Sequence, residues 1–153
     1  KLIVVDDGYP DETIPSWFAD LSDNRIQYQR NINNLGANGN FQKCLGLLSA
    51  EYCLVMGADD LLEPNFVERI NEIILQNPGV SMIHPGVKVI DENNELISTR
   101  SDQVKKNIRE AQGISKILSG EQLAKSLMRG NWMYFPSIVW KTSAIFREKS
   151  KKN

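Results

Sequence analysis

The first half of the chain alternates continuous apolar runs with stretches whose apolar residues recur every three to four positions. Leu2-Ile3-Val4-Val5 is a continuous, β-branched run that suits an interior parallel strand, and Asp6-Asp7-Gly8 ends it. Ile14, Trp17, Phe18 and Leu21 then repeat at i, i+3, i+4 and i+7, which predicts a short helix with Trp17 and Phe18 in the core. Arg25 to Arg30 alternates with period two and predicts a second strand. Phe41, Cys44, Leu45 and Leu48 stripe the next helix, and Tyr52 to Met56 reads as a buried strand running into Gly57-Ala58-Asp59-Asp60. Pro64 suits a helix start, Phe66, Val67, Ile70, Ile73 and Ile74 form its stripe, and Asn77-Pro78-Gly79 stops it. This β-α-β-α-β-α order predicts an α/β fold with a largely parallel, Rossmann-like sheet and helices on both faces.

The second half changes character. Val80 to Ile90 reads as a long strand bent at Pro85-Gly86, and Asp91 to Glu95 as a hairpin turn into Leu96-Ile97. Residues 98 to 116 are rich in charge, Gln and Ser, which predicts a mobile surface loop with some helix. Ser119-Gly120-Glu121 opens a further helix with Leu123, Leu127 and Met128 on one side. An aromatic connector from Gly130 to Pro136 leads into a last strand, Ser137 to Trp140, and Lys141 to Phe146 reads as the start of a helix.

A chain of 153 residues is about one domain, and no internal repeat or linker divides it. Its 18 basic and 19 acidic residues give no bulk attraction to nucleic acid. Only Arg147, Lys149, Lys151 and Lys152 depart from that balance, as a solvated basic end or a membrane-surface contact. Cys44 and Cys53 read as buried thiols of a reducing compartment, and no run approaches a membrane span. Because the chain opens straight into an apolar strand, it reads as entered partway through a fold and truncated at both ends. A strand edge bared in that way invites pairing with another chain, and so a dimer.

The candidate chemistry lies where two strands end in paired acids, Asp6-Asp7 and Asp59-Asp60. In a parallel sheet such ends share one edge, so the pairs are expected to meet across one crevice. Crowded carboxylates call for a cation, and oxygen-only sites suit Mg²⁺ or Mn²⁺ completed by water and a diphosphate. The remaining acids then accept hydrogen bonds from ribose hydroxyls or from a base N–H. The plainer alternative is that Asp residues start turns and cap helices, which is the reading adopted for Asp11. Asn31 to Asn40, with five Asn and two Gly, tolerates positive φ and close approach of backbone to a ligand. His84 is read as structural, whereas Trp132 and Tyr134 offer aromatic faces either to sugar rings or to packing.

Leu2 to Gly8, then Asn34-x-Gly36-x-x-Gly39-Asn40, then Glu51-Tyr52 to Asp59-Asp60, together resemble the donor half of the family 2 glycosyltransferases, which have the GT-A fold. The resemblance runs in order from residue 1 to about residue 97, with a weaker echo at Phe135-Pro136-Ser137-Ile138-Val139. It implies a single GT-A-like domain: a nucleotide-sugar-binding half (1–97), a mobile loop (98–118) and the start of an acceptor-side region (119–153). By the same resemblance Asp6, Asp7 and Gly8 lie at the nucleotide, Asp7 accepting from the base. Asp59 sits by the ribose, Asp60 binds the metal, and Gly36 and Asn40 shape the nucleotide loop. Asn131 and Trp132 are candidates at the acceptor.

The implied reaction is inverting transfer from a nucleotide diphosphate sugar, UDP favoured, to an acceptor hydroxyl, with a divalent metal, Mn²⁺ or Mg²⁺. The acceptor is a polysaccharide, a lipid-linked oligosaccharide or a protein, and the general base is expected beyond residue 150. The expected place is the cytoplasm, at the inner face of a membrane. Gly57 stands where many members carry the first acid of the metal motif, and an Arg that often precedes the Asn of the nucleotide loop is not evident. Two other readings remain open: a catalytically inactive nucleotide-sugar-binding or scaffold domain, and a phospho-acceptor receiver domain, which also sets acids around Mg²⁺.

Overall fold

A computed structural model describes residues 1–110 and 117–146. The basic end at Arg147, Lys149, Lys151 and Lys152 lies outside the described residues, as does the close of the expected loop at 111–116. The chain forms two compact units, Lys1–Ala50 and Glu51–Asn153. No helix among the described residues is long and apolar enough to cross a membrane.

In the first unit, β1 (Leu2–Asp6) pairs in parallel with β2 (Ile26–Arg30), Leu2 opposite Ile26 and Asp6 opposite Arg30. The crossover between them carries α1 (Thr13–Asp20). Phe18 of α1 stacks on Tyr28 of β2 with ring centroids 4.6 Å apart, and this contact packs the helix on the strand pair. The expectation that Trp17 is core is corrected: it is 60% exposed and meets Phe18 edge-on. Eight residues give a helix only about two turns, so one aromatic on the inner stripe suffices and the other stays outside.

The unit closes with α2 (Gly36–Gly46), which begins inside the Asn-rich stretch rather than at Phe41. Gly36, at φ +70°, adopts the left-handed turn that other side chains resist, and Asn34 Oδ1 accepts its N–H at 2.9 Å.

In the second unit, β3 (Tyr52–Leu54) ends two residues before the expected Met56, and α3 (Phe66–Gln76) follows the acid turn. The strand expected from Val80 to Ile90 is two short strands, β4 (Met82–Ile83) and β5 (Val89–Ile90), in separate sheets. Pro85 between them has no N–H to give a ladder, so pairing does not run through. β5 turns into β6 (Leu96–Ile97), with Asp91 Oδ1 accepting the N–H groups of Asn93 and Glu95 and Asn94 at φ +62°.

Residues expected to be mostly loop form α4 (Arg100–Glu110). Thr99 Oγ1 accepts the Asp102 N–H while Asp102 Oδ2 accepts the Thr99 N–H, a reciprocal capping box. Then come α5 (Gly120–Arg129), a 3₁₀ turn at Phe135–Ser137, β7 (Val139–Lys141) and α6 (Thr142–Ile145). On α5, Met128 is 88% exposed, against the expectation that it shares the buried side.

The sheet of this unit has the order β3-β7-β4, with β7 antiparallel to both neighbours. β3 and β4 therefore run the same way but do not pair with each other. Among the described residues the only parallel pairing is β1 with β2, so the expected largely parallel sheet is corrected to one parallel pair in the first unit and separate antiparallel sheets in the second. Val139 stands opposite Leu54 on one side and Ile83 on the other, and with Ile70 of α3 it forms the core. A β-branched residue flanked on both sides packs better here than at an edge, which favours the late strand in the middle.

Candidate functional site

The end of β1 delivers two carboxylates into different surroundings. Asp6 is buried, accepting the Tyr9 N–H at 2.8 Å and the Tyr28 hydroxyl, with Arg30 Nε at 3.6 Å. The Tyr28 hydroxyl, then the Tyr9 N–H, hold its pKa below the usual carboxylate range. Burial first, then the bond to Asp6, push the Tyr28 phenol up to about 12. Arg30 is fixed in turn by Glu12 and the Tyr9 carbonyl. These bonds make Asp6 the anchor of the strand end.

A depressed acid contributes stability above the ordinary carboxylate pKa, about 4, and loses it as pH falls through the folded value. A raised phenol contributes below its ordinary value, about 10, and loses it as pH rises through the folded value. Tyr28→Phe is therefore expected to lower Tm by a constant amount between roughly pH 5 and 9, with the gap narrowing beyond either end. Melting curves across pH check this, and a gap independent of pH would show that the pair carries no such linkage.

Asp7 points into the Asn-rich loop. Its Oδ1 accepts the Leu35 N–H at 2.8 Å and Asn31 Nδ2 at 2.6 Å. Those two donors, the Leu35 N–H first, lower its pKa, so it is an acceptor-only carboxylate at neutral pH. Asn31, only 7% exposed, also donates to Asn40 Oδ1 at 3.0 Å and accepts from Lys43 Nζ, while Asn40 Nδ2 donates to the Val5 carbonyl. Gly8, at φ +77°, makes the turn that brings this loop against β1. The structure thus joins Asp7 and Asn40 through Asn31, a residue sequence reasoning did not select. The cation that meets Asn31 in this loop is Lys43.

In the second unit Asp59 and Asp60 follow β3 in a tight turn, where Gly57 N–H donates to Asp60 Oδ2 at 2.9 Å. A Cβ built on Gly57 would stand 2.5 Å from Asp59 Oδ1 and 3.1 Å from Asp60 Oδ2. Both carboxylates thus pack back against Gly57. Among the described residues no three His, Cys, Asp or Glu side chains cluster around a metal position. Two adjacent carboxylates nonetheless fit Mg²⁺ or Mn²⁺, which take one or two protein acids and draw the rest of their shell from water and phosphate. Gly57→Ala displaces only an exposed carboxylate, so it is expected to change stability by less than about 0.5 kcal/mol. Melting curves of the variant and the wild type check this.

The acceptor candidates part company. Asn131 Oδ1 accepts the Met133 N–H, which makes it a turn residue. Trp132 Nε1 donates to buried Ser126 at 2.8 Å, and its ring meets His84 edge-on at 5.2 Å. His84 Nε2 accepts the Tyr134 N–H, in keeping with a structural histidine. Trp132 and Tyr134 line a cavity of about 240 Å³ beside α4 and the β5–β6 hairpin.

Comparison with known proteins adds two findings. The model of the family described as glycosyl transferase family 2 matches residues 1–143. An uncharacterized glycosyltransferase of Haemophilus influenzae is 31% identical over 94 residues, covering 60% of this chain and 29% of that protein. The aligned part thus spans less than a third of the relative's length.

Proposed function

The chain belongs to glycosyl transferase family 2, and from that premise we propose that it is the donor-binding part of an inverting enzyme. That enzyme moves a sugar from a nucleoside diphosphate, UDP favoured, to an acceptor hydroxyl. The observation that carries this reading is the pair of adjacent carboxylates, Asp59 and Asp60, in the tight turn that follows β3, where Asp60 Oδ2 accepts the Gly57 N–H.

In this reading Asp7, held ionised by the Leu35 N–H and Asn31, accepts the N–H of a base. Uracil N3 and guanine N1 carry such a proton, whereas the corresponding nitrogen of cytosine does not. Asp6 holds the strand end and the Gly8 turn in place, and Gly36 and Asn40 shape the loop around the nucleotide. Asp59 accepts from a ribose hydroxyl and Asp60 holds a divalent metal, Mn²⁺ or Mg²⁺. Bound there, the metal supplies Lewis-acid stabilisation to the departing diphosphate. The acceptor, a polysaccharide, lipid-linked oligosaccharide or protein, is approached from the side of Trp132. The enzyme works in the cytoplasm, where nucleotide sugars are made.

The test is calorimetric titration of UDP and GDP, with and without Mn²⁺, into this chain and into a longer form of the protein. Metal-dependent binding of UDP is expected. If neither nucleotide binds either form under any condition, the donor-site reading is lost.

A further inference from the structure

Resting on the donor-site reading above, we propose that Tyr9 is a further nucleotide-binding residue, its ring stacking on the face of the base whose edge Asp7 holds. The hydrogen bonds that Asp7 accepts from Leu35 and Asn31 both fall on Oδ1, so Oδ2 keeps acceptor capacity for the N–H of a base. A Cβ built on Gly8 would stand 3.9 Å from the Asn31 carbonyl oxygen and 3.9 Å from the Asn34 nitrogen. The turn that leaves Asp7 toward Tyr9 therefore lies against the loop that holds Asp7.

Exposed apolar side chains gather on these two segments. The large ones of the Lys1–Ala50 unit are Leu2, Tyr9, Trp17, Ile32 and Leu35. Tyr9 stands two residues beyond Asp7, Leu35 gives Asp7 its backbone N–H, and Ile32 follows Asn31. Their exposures are 62% for Tyr9, 99% for Ile32 and 49% for Leu35. Apolar residues scattered singly over a surface call for no explanation, but three in the segments that surround one ionised carboxylate do. Such surroundings suit a flat ring that carries an N–H on its edge, and a nucleobase is a ring of that kind. Tyr9 is the one aromatic among the three, and so the side chain whose π face a base can stack on.

The backbone of Tyr9 is held at both ends of the residue. Its N–H donates to buried Asp6 at 2.8 Å, its carbonyl accepts Arg30 Nη2 at 2.8 Å, and Pro10 restricts it further. Both bonds belong to the main chain, so replacing the ring leaves them in place. Part of the ordering cost of binding is thus met before the nucleotide arrives. Stacking also differs from edge recognition in what it selects. Asp7 distinguishes bases by their protons, whereas every base has a π face, so loss of a stacking residue lowers UDP and CDP affinity together.

The experiment titrates UDP and CDP with Mn²⁺ into wild type, Tyr9→Phe and Tyr9→Ala, each in the form of the protein that binds UDP. It also records NOEs between Tyr ring protons and uracil H5 and H6. Melting curves of the three proteins are expected to coincide, because no main-chain bond is lost. Tyr9→Ala is expected to lower affinity for UDP and CDP alike by about tenfold, and Tyr9→Phe to stay within about twofold of wild type. The wild-type NOE is expected to vanish in Tyr9→Ala. Unchanged affinity in Tyr9→Ala overturns the proposal, as does an equal loss in Tyr9→Phe, a loss confined to one of the two nucleotides, or a saturated complex without the NOE. In those outcomes UDP still binds, and the donor-site reading stands. If UDP binds no form of the protein, that reading falls and this inference falls with it.

Discussion

Asp60→Ala is expected to abolish the metal dependence of UDP binding, so that affinity with Mn²⁺ falls on the order of a hundredfold, to the metal-free level. The variant removes one of the two adjacent carboxylates in the turn that packs against Gly57. A divalent ion held by one or two acids then keeps at most Asp59, and its hydration competes with what remains. The cost to the fold is small, because the bond from Gly57 N–H to Asp60 Oδ2 is exposed and water replaces it. Calorimetry with and without Mn²⁺, beside a melting curve, separates the two effects. An affinity loss equal in both titrations would assign Asp60 to the turn rather than to a metal.

How much of this was legible in the sequence depends on whether the information is local. β1, β2 and α3 were readable because an apolar run, a period-two stretch and a period-3.6 stripe are each local signals of an element, although the apolar residues of β1 and β2 are at most half-buried. The insertion of β7 between β3 and β4 was not, because no residue of Val139-Trp140-Lys141 states which strands it will pair with. The middle place follows from tertiary packing of Val139, a fact absent from its neighbours. α4 was missed for a different reason. Its surface is so charged that no apolar stripe stands out, yet Thr99-x-x-Asp102 carried a helix-start signal that composition obscured.

The site divides along the same line. Asp59-Asp60 was visible because a strand, a glycine and two acids adjoin in sequence, and the family match over residues 1–143 agrees with the ordered motifs rather than with a phospho-acceptor receiver. The glycine proved informative in its own right: a Cβ on Gly57 would press on the Asp59 carboxylate in this turn. Asn31 was invisible because one Asn among five looks like loop composition. Its role depends on Asp7, Asn40 and Lys43, which lie 24, 9 and 12 residues away.

Asn31→Ala is accordingly expected to have the second large effect, and on two observables. Deleting the amide leaves Asn40 Oδ1 and Lys43 Nζ without the partner that joins them and takes a donor from Asp7. The deleted amide is buried while Asn40 and Lys43 are only half-buried, so losing its bonds costs about 1–3 kcal/mol and the Lys1–Ala50 unit should unfold at lower denaturant. UDP affinity should also fall tenfold or more, on the order seen when residues that orient a contacting group are removed. Lys43→Met separates the contributions: it keeps the Asn31 bonds to Asp7 and Asn40, so it should weaken the network less and leave the preference for UDP over CDP intact. In Asn31→Ala that preference should shrink, because the Asp7 carboxylate is then free to rotate on the Leu35 N–H. Denaturation curves and competitive titration of UDP and CDP on the two variants check this. An unchanged preference in Asn31→Ala would confine the network to stability and leave the choice of base to other residues.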